Sequence, residues 1–225
     1  MGLSKVNSFT NDYTQLLADV FFKIKPLKLQ DLELGYKREI QNFNAELVDK
    51  EIVANNLYVN HNINSNFNLG WFMQFFHTIQ NDENNRNLFF TSLYYNFLSK
   101  PVLKGGINYQ FISFKNQVPT IYFSPENFNA IEIFADLLND EKMTKTKNWF
   151  YGLNGAIGYQ FIENEKKQLT YRTQIKLGYK FSDRLLANLF GQHTNIASAT
   201  ATGFSFTEIG FRLKWYLTKK PLFIK

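Results

Sequence analysis

Between Asn148 and Phe181 the chain alternates apolar and polar residues almost without a break, in two segments separated by the polar turn Asn164–Lys167. In the first, Trp149, Tyr151, Leu153, Ile157, Tyr159 and Phe161 share one parity, and Gly152, Asn154, Ala156, Gly158 and Gln160 the other. In the second, Leu169, Tyr171, Ile175, Leu177, Tyr179 and Phe181 alternate with Arg172, Gln174, Lys176 and Lys180. A repeat of two puts successive side chains on opposite faces of an extended strand. Each segment runs to roughly twelve to fourteen residues, against the five or six usual in soluble sheets. Aromatics stand near both ends of the apolar face, the layout of a strand that crosses a bilayer between two aromatic girdles.

Composition agrees with that layout. The 225 residues fit one domain, and residues 1–225 are expected to form a single barrel. Aromatics make up 17%, with 24 Phe and 12 Tyr, yet the mean hydropathy is slightly negative. No run approaches the ~18 apolar residues of a spanning helix. A barrel reconciles these facts, because half of each strand faces lipid and half faces a polar lumen. Cysteine is absent, which excludes disulfides and thiolate metal sites. The net charge of +6 is spread over inward positions and turns, with no basic block, zinc-ligand spacing or strand–helix–strand unit, so no nucleic-acid partner is expected. The opening MGLSKVNSFTNDYTQLLADV lacks the basic and apolar regions of a secretion signal. On an outer-membrane reading the chain is then a mature form or an excised segment with an added Met; the alternative is that the membrane reading is wrong.

The pattern predicts an antiparallel transmembrane β-barrel of about twelve strands, near 3–10, 12–24, 30–41, 51–64, 68–80, 87–98, 102–115, 128–138, 148–162, 168–181, 185–196 and 204–218. Lys25–Lys28, Asn64–Asn66, Lys100–Pro101 and Ser182–Arg184 read as short turns. Asn42–Lys50, Asn81–Asn85, Asn116–Asn127 and Ala197–Gly203 read as longer polar loops. Short turns belong on the periplasmic side, and an even count puts both termini there. Asn139–Lys147 breaks the rule: it is long, Lys-rich and on the short-turn side. It is either a real loop or a sign that the count is off by one. No helix of useful length is evident. Glycines stand inside strands, at 35, 70, 106, 152, 158, 178 and 210, where a curved wall is crowded on its inner side.

Inward parity gives the candidate lumen residues Lys104, Glu132, Phe134, Asp136, Arg172, Lys176, Arg212 and Lys214. Glu132 and Asp136 are spaced for ligand binding or for pairing with Lys104, Arg172 or Lys176, and opposite charges in a narrow barrel usually pair. Phe72, Phe76, Phe134 and Tyr216 share the inward parity and suit sugar stacking or the filling of a plugged barrel. In the last strand Glu208, Gly210, Leu213 and Trp215 have the spacing of the C-terminal signal recognised by the outer-membrane barrel assembly machinery, although Lys219–Lys225 extends beyond it.

Tyr122-Phe123-Ser124-Pro125 precedes a strand, then the Trp149-led strand with Gly155 and Gly158, then a final strand with Gly210. Over roughly residues 100–218 this order resembles the C-terminal outer-membrane barrel of exopolysaccharide-export proteins, the cellulose-synthase outer-membrane subunit type and YaiO-like barrels. The resemblance implies a barrel that passes polymer across the outer membrane behind a periplasmic tetratricopeptide array, which this sequence does not carry. Aromatics around the Ser124-Pro125 turn are expected at the outer rim.

Four functions are open at this point. The first is an outer-membrane pore or export conduit, for a polysaccharide. The second is a non-conducting anchoring or assembly barrel that binds periplasmic or outer-membrane proteins. The third is a barrel lipid hydrolase, which would need a nucleophile beside His61, His77 or His193; no Ser is well placed, so no catalytic residue is expected. The fourth is a soluble all-β binding protein. No metal-ligand spacing or phosphate-binding loop is present, and neither cofactor nor metal is expected. The expected surroundings are outer-membrane lipid and the assembly machinery.

Overall fold

The computed structural model describes residues 2–7, 12–42, 45–142, 144–163, 166–196 and 205–217. They form twelve strands: β1 (Gly2–Asn7), β2 (Asp12–Ile24), β3 (Gln30–Ile40), β4 (Val53–Asn64), β5 (Leu69–Gln80), β6 (Asn85–Ser99), β7 (Val102–Phe114), β8 (Phe128–Asn139), β9 (Asn148–Ile162), β10 (Gln168–Lys180), β11 (Leu185–Thr194) and β12 (Phe206–Trp215). Each pairs antiparallel with its chain neighbour, in the order β1 to β12. The fold is an antiparallel transmembrane β-barrel, and the strand count agrees with the alternation. Residues 8–10, 204 and 218 of the expected strands, and the expected loop 197–203, lie outside the described residues. One element has no sequence signature: the single-turn helix α1 (Ala45–Asp49) in the β3–β4 loop, too short for periodicity to register.

β2 to β12 are 10 to 15 residues long. About twelve residues at ~3.3 Å each, tilted by ~45°, rise close to 28 Å, enough to cross the hydrocarbon layer. Their outward face is apolar and open. Leu57, Leu93, Ile107, Ile133, Leu153, Ile157, Ile175, Leu189 and Ile209 stand across its middle, all exposed. Water would not tolerate a continuous surface of this kind. At the short-turn end it carries Trp71, Tyr95, Phe97, Trp149, Tyr179, Phe181 and Trp215, with ring contacts Trp149–Tyr179 at 5.1 Å and Tyr179–Phe181 at 4.9 Å. At the other end stand Phe89, Tyr109, Phe111, Tyr159, Phe161 and Tyr171, with Phe89–Tyr109 at 6.4 Å. Polar groups on this face are matched across strands: Trp71 Nε1 donates to Thr91 Oγ1 at 2.8 Å and Tyr109 Oη to Asn129 Oδ1 at 2.6 Å. An unmatched polar group in hydrocarbon is costly.

The inner face is built tightly. Gly35, Gly70, Gly178 and Gly210 stand directly across from Tyr58, Tyr94, Phe150 and Phe190 on neighbouring strands. Each ring lies over its glycine, so that an added Cβ would meet ring carbon at 2.2 or 2.3 Å. At Gly158 a Cβ would meet the carbonyl oxygen of Ile131 at 1.8 Å, closer than any side chain fits. These joints let large rings lie flat on a strongly curved wall.

Gly178→Ala is expected to destabilise the barrel by about 1–3 kcal/mol. The Phe150 ring above it is 1% exposed and has no room to swing aside. Urea unfolding of the refolded protein, followed by tryptophan fluorescence, should show a lower midpoint, and Phe150→Ala in the same chain should restore part of the loss. An unchanged midpoint would show that the joint is slack.

Candidate functional site

The inward side chains of β2 to β12 line a run of cavities. Asp19, Glu33, Lys37, Tyr58, Phe76 and Arg86 are among those around one of about 500 Å³. A central cavity of about 330 Å³ is walled by strands β4 to β10, with the rings of Phe72, Phe90, Tyr94 and Phe134 among Asn62, Ser92, Lys104, Asn108, Asp136, Asn154 and Arg172. Asp136 and Asn154 also border a third, of about 410 Å³, on the β8–β12 side. Together these form the candidate lumen.

Its charges are cross-linked. Lys104 Nζ lies 3.3 Å from Asp136 Oδ2, and Arg172 Nη2 3.5 Å from Glu132 Oε2 across the width of β9. Glu132 is 5% exposed. Hydrogen bonds step from strand to strand: Arg86 Nη2 donates to Thr78 Oγ1, Thr78 Oγ1 to Asn56 Oδ1, and Asn56 Nδ2 to Glu39 Oε1. On the opposite wall Gln174 Nε2 donates to Gln192 Oε1 and Gln192 Nε2 to Glu208 Oε2. A buried charge left without a partner would cost several kcal/mol, so such links are what a narrow polar lumen requires. Among the described residues six buried polar side chains keep atoms without a partner: Tyr13 Oη, Arg86 Nε, Glu132 Oε1, Thr170 Oγ1, Arg172 Nε and both amide atoms of Asn188.

The structure brings most of the predicted lumen residues together. Lys104, Phe134, Asp136 and Arg172 border the central cavity, and Lys176 and Arg212 the third. Lys176 does not pair with Glu132 or Asp136. It and Lys214 reach Glu141, at 3.4 and 2.5 Å. Tyr216 borders none of these cavities; its backbone N–H donates to Arg184 O at the end of β12. Glu208 and Gly210 point inward, Gly210 under Phe190, and Leu213 and Trp215 point outward. The histidines lie on the outward parity. His193 is stacked on Tyr171 at 5.3 Å, with Nδ1 2.6 Å from Thr207 Oγ1.

Alternation says nothing about loops, and both ends of the lumen are shaped by them. At the long-loop end, Leu47 of α1, Ile52 and Tyr122 pack on the inward residues Ile112, Phe114, Phe128 and Ala130. Tyr122, Ser124 and Pro125 are therefore buried in the mouth, not placed on its rim. Tyr122 Oη donates to Asp82 Oδ2 at 2.8 Å and accepts from Asn84 Nδ2 at 2.7 Å. Burial is the main cause that raises its hydroxyl far above the usual phenol range, so it stays protonated. At the short-turn end the long β8–β9 connection is a real loop, and the strand count stands. It turns inward. Glu141 bridges Lys176 of β10 and Lys214 of β12, Lys180 Nζ donates to Thr144 O at 3.3 Å, and Thr146 Oγ1 to Asp183 Oδ1 at 2.9 Å. Burial alone would raise the Glu141 carboxyl, but the bonds and charges of Lys214 and Lys176 together outweigh it and hold it below the usual carboxylate range.

No protein family matches the chain by sequence, and a search of curated proteins finds no match. A solved structure described as "Bacterial polysaccharide outer membrane secretin" superposes with a TM-score of 0.74 at 9% identity, over 96% of this chain and 74% of that one. At that identity the likeness is one of fold: an outer-membrane protein's all-β architecture accommodates this chain almost from end to end.

Two predictions follow from the ends. Tyr122→Phe keeps the ring but removes the hydroxyl that joins Asp82 to Asn84, and is expected to loosen the mouth by about 1–3 kcal/mol, seen as faster amide exchange in residues 115–127. Because Glu141 titrates lower in the folded protein, its hold on the loop is complete above the ordinary Glu range and is lost as pH falls through the lowered value. Protease cleavage in the Lys-rich segment 140–147 should be slow at neutral pH and fast in acid. Glu141→Gln should be cleaved quickly at every pH; slow cleavage of that variant would remove the carboxylate from the tether.

Proposed function

We propose that the protein is a bacterial outer-membrane barrel that serves as a pore or export conduit for a polysaccharide, with the long loops outside and the short turns periplasmic. The observation that carries this reading is the lining of the central cavity, four aromatic rings interleaved with amides and paired charges. Sugar rings offer apolar faces that stack on aromatics and hydroxyls that bond amides and carboxylates, so a wall of alternating rings and amides suits a sliding glycan. The fold likeness to a polysaccharide secretin supports the outer membrane as its place and a glycan as its cargo. The finer resemblance to the cellulose-synthase outer-membrane subunit type and YaiO-like barrels rests on the Tyr122–Pro125 and Trp149 motifs alone. In this reading outer-membrane lipid surrounds the barrel, the assembly machinery recognises Glu208, Gly210, Leu213 and Trp215, and the protein is not an enzyme. His193 is then a girdle residue.

A second reading, a non-conducting barrel that anchors a protein complex, is favoured by one observation: loops occupy both ends of the lumen. Planar-bilayer recording of the refolded chain separates the two. A conduit with a closed resting state should conduct little until residues 115–127 are replaced by a short Gly-Ser turn, and should then conduct steadily and be blocked by added oligosaccharide. Asp136→Asn, which frees Lys104, should shift the selectivity of that open form towards anions. A shortened-loop variant that inserts and stays silent would leave the anchoring reading.

A further inference from the structure

The β8–β9 connection departs from the short turns on its side of the barrel, and its Glu141 is held by cations from two strands that do not neighbour each other. We infer that Lys176, Arg212 and Lys214 form an anion-binding subsite of the lumen, that Glu141 occupies it at rest, and that a carboxylate-bearing saccharide displaces Glu141. This rests on the glycan reading of the lumen and names the class of glycan.

Charge supplies the first argument. The inward face of β10 to β12 near the short turns carries Lys176, Lys180, Arg212 and Lys214. The acids that reach these cations are Glu141 and, on the exposed turn, Asp183, which lies 3.4 Å from Lys180. Among the described residues Arg212 has no ion pair; its guanidinium lies over the Phe190 ring at 5.4 Å. Glu208, higher on β12, borders the same cavity and accepts from Gln192, so the four cations of this wall face three carboxylates, Glu141, Asp183 and Glu208. Fastening a loop to a wall takes one lysine. Two lysines on one carboxylate, with an arginine beside them, leave surplus positive charge in a confined space, and such a place attracts anions.

The neighbouring space supplies the second. Lys176 and Arg212 border the cavity of about 410 Å³, inside the range of roughly 300–1,000 Å³ typical of small-ligand sites. Asn188, 3% exposed, borders it too, and among the described residues neither its amide oxygen nor its amide nitrogen has a partner. A buried amide without partners is costly unless something supplies them. Phe190 borders the same space, with Gly210 under its ring and the Arg212 guanidinium over it. A uronic-acid residue matches this set: its hydroxyls meet Asn188, and its carboxylate takes the place of Glu141 between the lysines. A neutral sugar would leave the cations unused.

The test is equilibrium binding of a short oligogalacturonate, and of a neutral malto-oligosaccharide of equal length, to the detergent-folded full chain by calorimetry. The oligogalacturonate is expected to bind. Glu141→Gln, nearly isosteric and without the competing charge, should tighten it about tenfold, and Lys214→Gln or Arg212→Gln should weaken it about tenfold. The neutral oligomer should respond to none of them. Folding is checked by heat-modifiable gel mobility; should Glu141→Gln misfold, Glu141→Asp keeps the charge but shortens its reach and is expected to tighten binding less. Unchanged or weaker oligogalacturonate binding in the Glu141 variant overturns the inference, as does equal binding of the neutral oligomer. Equal binding of a polyglutamate peptide or of inorganic phosphate overturns the saccharide assignment. A barrel that conducts nothing under any condition, yet binds oligogalacturonate more tightly without Glu141, defeats the conduit and leaves the subsite standing.

Discussion

Hydrocarbon offers no hydrogen bonds, and this chain is organised around that fact. A strand in the membrane must give its backbone groups to neighbours on both sides, which forces a continuous antiparallel ladder, and its outward side chains must be apolar or matched. The ladder from β1 to β12 meets the first demand for β2 to β11, with every connection joining adjacent strands. The outward face meets the second, with aliphatic residues in the middle and aromatics at two levels. Where polar atoms intrude, as at Trp71 and Thr91 or Tyr109 and Asn129, each finds a partner on the next strand.

Once one face is committed to lipid, the other must hold all the remaining polarity in a small volume, and the inner architecture follows from crowding. Glycines opposite Tyr58, Tyr94, Phe150 and Phe190 make room for rings that lie flat on the wall. Acids and bases pair across one or more strands, because the low local dielectric penalises any charge left alone. Glu132 with Arg172 and Asp136 with Lys104 obey this rule. The β10–β12 wall has more cations than partners, and the β8–β9 loop brings Glu141 to it.

The period of two was enough to read the twelve strands, the parity of each and the inward set from Lys104 to Lys214, because lipid on one face and a lumen on the other leave a signal in every residue. Glycine positions were also legible, since a strand interior rarely tolerates them without reason. The ends were not. Leu47, Ile52 and Tyr122 pack through contacts between segments far apart in sequence, and α1 is too short to have a period. The partner of Lys176 was missed for a similar reason. Glu141 lies beyond the strand pattern, in a loop whose unusual length was the available signal that it does more than turn the chain.

Tryptophan provides the most direct test of the lipid-facing surface. The chain has three, Trp71, Trp149 and Trp215, and all stand exposed on the outward face at the short-turn end. Refolded into liposomes, they should be quenched by lipids brominated near the headgroup more than by lipids brominated deep in the acyl chain, and aqueous iodide should reach them poorly. Free quenching by iodide, with no response to brominated lipid, would mean that this face meets water and that the chain is not a membrane barrel.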